Sequence, residues 1–135
     1  MSYSINDIEG IGPALAEKLK VAGIRTTGAL LERAATPKGR KEVAAESGIG
    51  EKQILKFANM ADLMRIKGVG EEYSELLEAA GVDTVKELRN RRPDNLTAKM
   101  AEVNATKKLV RSLPSEKVVE GWVAQAKELD PVMSY

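Results

Sequence analysis

The sequence contains neither cysteine nor histidine, and only 4% of its 135 residues are aromatic. Without cysteine there are no disulfides and no thiolate nucleophiles; without histidine there is no imidazole general base, and the common zinc sites go with both. Long apolar runs are missing as well. No stretch reaches the roughly eighteen apolar residues of a membrane span, so no transmembrane helix is expected. An excess of either charge is also absent: 21 basic residues face 20 acidic ones, for a formal net charge of +1. Overall electrostatics therefore give no strong pull toward nucleic acid, and any such binding must come from local patches. Residues Met1–Asp7 lack the basic start and apolar core of an export signal, so a cytoplasmic location is expected.

Apolar residues make up 43% of the chain, and Leu, Ala, Val and Ile supply most of them. That mixture favours short helices over a sheet. A chain of this length buries one respectable core, or two small ones pressed together. The sequence also repeats itself. Residues 8–33 and 66–91, at a constant offset of 58, share Ile8/Ile66, Gly10/Gly68, Gly12/Gly70, Glu17/Glu75, Leu19/Leu77, Ala22/Ala80, Gly23/Gly81, Thr26/Thr84, Leu30/Leu88 and Arg33/Arg91. Such self-similarity marks a duplicated structural unit.

Each copy opens on a Gly-x-Gly element with a physical reading. Pro13, just after Gly12, suits the first turn of a helix, where its missing N–H would be unpaired anyway. Leu15, Ala16, Leu19 and Ala22 supply an apolar stripe, and Gly23 is placed to end the helix in the left-handed conformation. Gly10 and Gly12 let the backbone turn sharply and leave N–H groups facing outward at a helix N-terminus, an anion-binding geometry. Ile11, between them, is expected to point inward. Val69, Leu76, Leu77, Ala80 and Gly81 preserve this logic in the second copy.

The pattern from Ile8 to Leu19, apolar-x-Gly-apolar-Gly-x-x-x-Ala-x-x-Leu, resembles the helix-hairpin-helix motif at every defined position. Ile66 to Leu77 matches it with Ser74 in place of the alanine. Ser47–Ile54, with Gly48, Ile49 and Gly50, is a third and weaker version, whose counterpart in the second repeat, Leu113–Val119, has lost the glycines. Together with Thr36–Lys41 and the segment from Leu113 to Trp122, the arrangement is similar over nearly the whole chain to the proteins grouped as domain of unknown function 4332. The resemblance implies an all-α fold of tandem helix-hairpin-helix repeats, SAM-like, in one compact two-lobed unit.

Repeat 1 is expected over residues 1–63 and repeat 2 over residues 64–135. Periodicity gives each about five short helices: a lead-in, the helix after Gly-x-Gly, one near Thr26–Ala34 or Thr84–Arg91, one entered at Pro37 or Pro93, and a longer one from Glu51 or Ser115. Thr36 and Ser115 read as helix caps. The helix from Glu51 is expected to run through Ile66 directly into the second Gly-x-Gly turn, leaving no flexible linker. Phe57 and Trp122, at matched positions on apolar faces, read as core anchors.

Two functions remain open at this level. In the first, the chain grips nucleic-acid backbone, DNA or RNA, without sequence preference. The contacts would be Gly10, Ile11 and Gly12, Gly48, Gly50 and Lys52, Gly68 and Gly70, with the basic cluster Lys38, Arg40 and Lys41 beside them. Two further clusters, Arg89–Arg92 and Lys107–Arg111, could extend that stripe, although such clusters are more often solvated helix faces. In the second, the same helices form a protein-interaction scaffold with no nucleic-acid role. Glu71 and Glu72 stand at the first helical positions after Gly70, where they suit the helix dipole but repel phosphate. The carboxylates lie at i,i+3 and i,i+4 spacings from Lys and Arg and read as surface pairs. No nucleophile–base pair, metal cluster or cofactor motif is present, so neither catalysis nor a cofactor is expected. A two-glycine Gly10-x-Gly12 with no third glycine and no preceding strand does not make a dinucleotide site.

Overall fold

A computed structural model describes residues 2–135. Its regular structure, among the described residues, is helical. One turn of 3-10 helix over Ile5–Asp7 precedes α1 (Pro13–Val21), α2 (Thr27–Ala34), α3 (Pro37–Ser47), α4 (Glu51–Leu63), α5 (Glu71–Ala79), α6 (Val85–Leu88), α7 (Pro93–Lys107) and α8 (Glu116–Glu128). A single antiparallel bridge between Ser4 and Thr26 ties the chain ahead of that first turn to the start of α2.

The helix ends follow from the residues that form them. Pro13, Pro37 and Pro93 each occupy the first turn of a helix. The Thr26, Thr36 and Ser115 hydroxyls accept from the backbone N–H of Ala29 (3.1 Å), Gly39 (3.0 Å) and Val118 (3.2 Å), which would otherwise lack a partner. At the end of α1, Gly23 N donates to Lys20 O and Ile24 N to Leu19 O, both at 2.9 Å. Gly81 N and Val82 N repeat the pair at the end of α5, to Glu78 O and Leu77 O, again at 2.9 Å. This double bond closes a helix on a left-handed residue, and both glycines have positive φ. Ile24 and Val82, next in the chain, are fully buried.

Two apolar clusters result. The first gathers Ile5, Leu19, Leu30, Val43, Ile54, Phe57 and Met60 among others, and the second Leu63, Val69, Leu76, Leu88, Met100 and Trp122. In the first, α2 packs on α3 and α4; in the second, α7 packs on α5 and α8, and α6 on α8. The two clusters meet at the end of α4, where Leu63 belongs to the second and Met64 to the first. Met133 also packs into the first cluster, although it follows α8 in sequence.

Two expectations about helix length need correction. The helix from Glu51 stops at Leu63 instead of continuing to Ile66. Arg65 N then reaches back only three residues to Asp62 O (3.2 Å) and Ile66 N to Leu63 O (3.1 Å), tightening the last turn. The same contacts appear 58 residues earlier, as Asp7 N to Ser4 O (2.9 Å) and Ile8 N to Ile5 O (3.4 Å). The end of α4 thus serves as the lead-in to the second glycine turn. The second departure is α6, which covers only Val85–Leu88 within the expected Thr84–Arg91. Past Leu88 the backbone bonds tighten to three residues, Asn90 N to Glu87 O (3.2 Å) and Arg91 N to Leu88 O (3.1 Å), and Pro93, two residues early relative to the repeat offset, opens α7 directly afterwards.

Candidate nucleic-acid interface

Three glycine turns share one backbone pattern. Gly10 has φ 93°, Gly48 φ 75° and Gly68 φ 94°. The second glycine of each, Gly12, Gly50 or Gly70, is the extended N-cap of the following helix, with no side-chain cap. The apolar residue between them is buried: Ile11, Ile49 and Val69. Ile11 N donates to Ile8 O and Val69 N to Ile66 O, both at 3.1 Å, so these N–H groups are already used. Ile11 is accordingly a core residue whose side chain and N–H both face inward. The buried side chain agrees with the inward orientation expected for Ile11.

The outer turns also lie over an aromatic ring. A Cβ at Gly10 would come within 3.4 Å of Phe57 Cε1, and one at Gly68 within 3.2 Å of Trp122 Nε1. Phe57 and Trp122 are 3% and 2% exposed, so each plugs the core beneath its turn. The Trp122 ring is further held by Tyr73, with ring centroids 5.2 Å apart. The turn at Gly48 has no such neighbour and closes α3, its N–H donating to Ala44 O at 2.9 Å. At the end of α7 the left-handed role passes to Lys108, with φ 51°, whose N–H donates to Asn104 O at 2.9 Å. The Asn104 side chain then clamps the following loop through Val110 N (3.0 Å) and Val110 O (3.1 Å). A left-handed helix cap therefore persists in the fourth position although its glycine is gone.

Electrostatics separate the turns. The first turn of α1 carries no acidic residue, whereas α5 starts with Glu71 and Glu72. The Glu71 carboxyl is pushed above the ordinary carboxylate range, first by burial and then by Glu9, Asp7 and Glu72. Glu75 is pushed up by burial and then by Glu9, with Lys56 opposing. Asp7 and Glu9 precede the first glycine turn, and Glu71, Glu72 and Glu75 follow the second, so the two turns share one acidic region. Lys108 borders a 220 Å³ recess with Glu9, Glu72 and Glu75. Arg111 borders another with Gly68, Gly70, Glu71 and Glu72.

The basic clusters divide in the same way. Lys38 and Lys41 on α3 are exposed, as is Lys52 on α4, next to Glu51. Arg40 is not: it is 6% exposed, donates to Ala34 O (3.0 Å) and Ser134 O (2.8 Å), and lies 5.7 Å from the Tyr135 ring centroid. Its position is a correction, because four residues of α3 put Lys38 and Lys41 on one side of the helix and turn Arg40 toward the α2 end. Arg89 donates to the carbonyls of Ala126 and Leu129, and Arg92 pairs with Asp94 at 2.8 Å. Arg40, Arg89 and Arg92 are thus used within the chain, whereas Lys38, Lys41 and Lys52 face solvent.

Several structural residues escape sequence reading. Asp62, 1% exposed, accepts from Arg65 Nε (3.0 Å) and Nη2 (2.6 Å) through one oxygen, and from Val85 N (2.8 Å) through the other. It replaces a main-chain contact of the first half, where Thr27 N donates to Tyr3 O at 2.9 Å. Arg33 donates to Ala22 O at 3.0 Å, a cation on the carbonyl end of α1, and pairs with Glu46 at 2.6 Å. The signal for Arg33 was its identity with Arg91 across the repeat; Asp62 had none.

Among the described residues no group of three or more acidic side chains is placed to hold a metal ion, and no helix is long and apolar enough to cross a membrane. No curated protein and no solved structure matches the chain. Residues 9–129, from the first glycine turn to the end of α8, match one family. The chain belongs to the family described as Domain of unknown function (DUF4332).

Proposed function

We propose that this chain is a non-catalytic scaffold of two tandem helix-hairpin-helix repeats, residues 1–63 and 64–135, that binds a protein partner rather than nucleic acid. The repeated φ values at Gly10 and Gly68, and the matched backbone bonds around them, support the hairpin reading. The observation that carries the functional reading is the convergence of Asp7, Glu9, Glu71 and Glu72 around the first two turns. An N-terminal helix end offers an anion roughly 0.3–1 kcal/mol. Glu9, Glu72 and Glu75 line one recess with Lys108, and Glu71 and Glu72 line the other with Arg111, so at each an approaching phosphate meets more like charge than opposite charge. The balance goes against phosphate and favours a partner that presents Lys and Arg to this face.

A second reading rests on the third turn. Lys38, Lys41 and Lys52 are exposed, and the Gly48–Gly50 turn lies between α3 and α4. These cations could touch nucleic-acid backbone without sequence preference. Fluorescence anisotropy with labelled single- and double-stranded DNA and RNA, at low ionic strength where such contacts are strongest, separates the two. The scaffold reading expects no saturable binding. Saturable binding that falls with salt, and is lost in Lys38→Glu with Lys41→Glu, would overturn it in favour of the second.

A further inference from the structure

After α8 the chain forms no regular structure, yet residues 129–135 are held at both ends. Three guanidinium groups take main-chain carbonyls at the two ends of this strap. Arg89 reaches the Leu129 oxygen, Arg65 the Asp130 oxygen at 3.1 Å, and Arg40 the Ser134 oxygen at 2.8 Å. Arg89 caps α6 in the second half, Arg65 follows α4 at the junction, and Arg40 belongs to α3 in the first half. The strap is therefore traced from one half to the other.

Its far end is fixed most firmly. Ser134 N donates to Ala35 O at 2.8 Å, and Met133, 9% exposed, enters the first apolar cluster. The Tyr135 hydroxyl donates to Asn59 Oδ1 at 2.8 Å. The middle is loosely filled: Asp130, Pro131 and Val132 are exposed, and a cavity of about 240 Å³ lies between the strap and Asp62, Thr84 and Lys86. Only one strap side chain, Met133, is buried, and no helix needs to unwind for it to leave. The strap after residue 129 also lies beyond the span matched by the family.

We propose that residues 129–135 act as a latch that locks the two helical halves into one cooperatively opening unit and releases without unfolding either. Arginine donors to main-chain carbonyls suit that role, because Asp130 and Ser134 lie at the exposed surface where their carbonyls return to water on release, while Arg40 and Arg89 keep their bonds to Ala34 O and Ala126 O. Apart from the strap, the halves meet at the end of α4, where α4 packs on α5 and Asp62 accepts from Val85 N, and each keeps its own apolar cluster and hence its own opening.

Amide hydrogen exchange on the full chain tests the latch, comparing the wild type with Met133→Asp and with Val132→Asp, which puts the same charge on the same strap at an exposed site. In the wild type the slowest amides of α1–α3 and of α7–α8 should report one common opening. In Met133→Asp the Ser134 amide should lose protection, and the α1–α3 amides should exchange at least about tenfold faster than those of α7–α8, with helical circular dichroism kept. Val132→Asp should change none of these. The latch is overturned if the wild-type halves already open separately, if both halves accelerate equally or not at all in Met133→Asp, if that variant loses its helices, or if Val132→Asp has the same effect.

Discussion

Replacing Gly68 by alanine tests whether the second glycine turn is fixed by backbone conformation alone or also by the ring beneath it. At φ 94° an added Cβ costs about 1–2 kcal/mol. Against this, alanine narrows the unfolded ensemble and returns about 0.4–1 kcal/mol. The new carbon would also stand 3.2 Å from Trp122 Nε1. Because that ring is 2% exposed and packed against Tyr73, it cannot swing clear, and overpacking of this kind costs about 1–3 kcal/mol. The net loss should be about 2–3 kcal/mol. Gly81 provides the internal comparison: its φ is also 94°, but the nearest atom to its Cβ is the mobile end of Arg91 at 3.8 Å. Gly81→Ala should therefore cost about 1 kcal/mol or less, from the conformational terms alone. Urea unfolding followed by Trp122 fluorescence and by far-UV circular dichroism measures both variants on one scale. Equal losses would refute the argument from the ring, and a Gly68→Ala protein as stable as the wild type would refute the argument from φ as well.

Gly121 lies inside α8 with nothing within 4 Å of its Cβ position, so Gly121→Ala should raise stability by about 0.5–1 kcal/mol, read as a higher urea midpoint. A lower midpoint would mean that this exposed face of the helix is not free. The pH dependence follows from Glu71, Glu75 and Glu78, all pushed above the ordinary 4.5, first by burial. Between 4.5 and those raised values the folded protein holds protons that the unfolded chain has released, so stability falls as pH rises through this window. Tm should rise when pH is lowered from neutrality toward 4.5, and Glu75→Gln should raise Tm at neutrality while shrinking that rise. Asp94, held below its ordinary 3.8 by the Asn95 N–H and Arg92, loses its contribution only under more acid conditions and leaves the window unaffected. A Tm that falls over the same interval would refute the assignment.

The local devices of this fold were legible because each is encoded within a few residues. A glycine that must turn, an apolar residue beside it and a proline at the first helical position act through backbone sterics, which do not depend on distant neighbours. Hence Gly10, Gly12, Gly23 and their partners 58 residues on could be placed, along with the caps at Thr36 and Ser115. Charge was another matter. Arg40 stands in a basic run with Lys38 and Lys41, and the end of α2 together with residues 133–135 turns it from a solvated cation into a buried donor. Asp62 looks like a surface acid on an amphipathic helix, but it is buried because the start of α6 and Arg65 converge on it. Asp7 and Glu9 lie more than sixty positions before Glu71 and Glu72, and no spacing rule links them. The sequence by itself determined the helical class, the glycine stops at Gly23 and Gly81 and the repeat, since these are short-range steric and apolar effects, whereas the ends of α4 and α6 depended on tertiary packing. Only the tertiary structure decided which charges meet, because Coulombic and hydrogen-bond partners are set by distance in space, and the chain brings together residues that its order keeps apart.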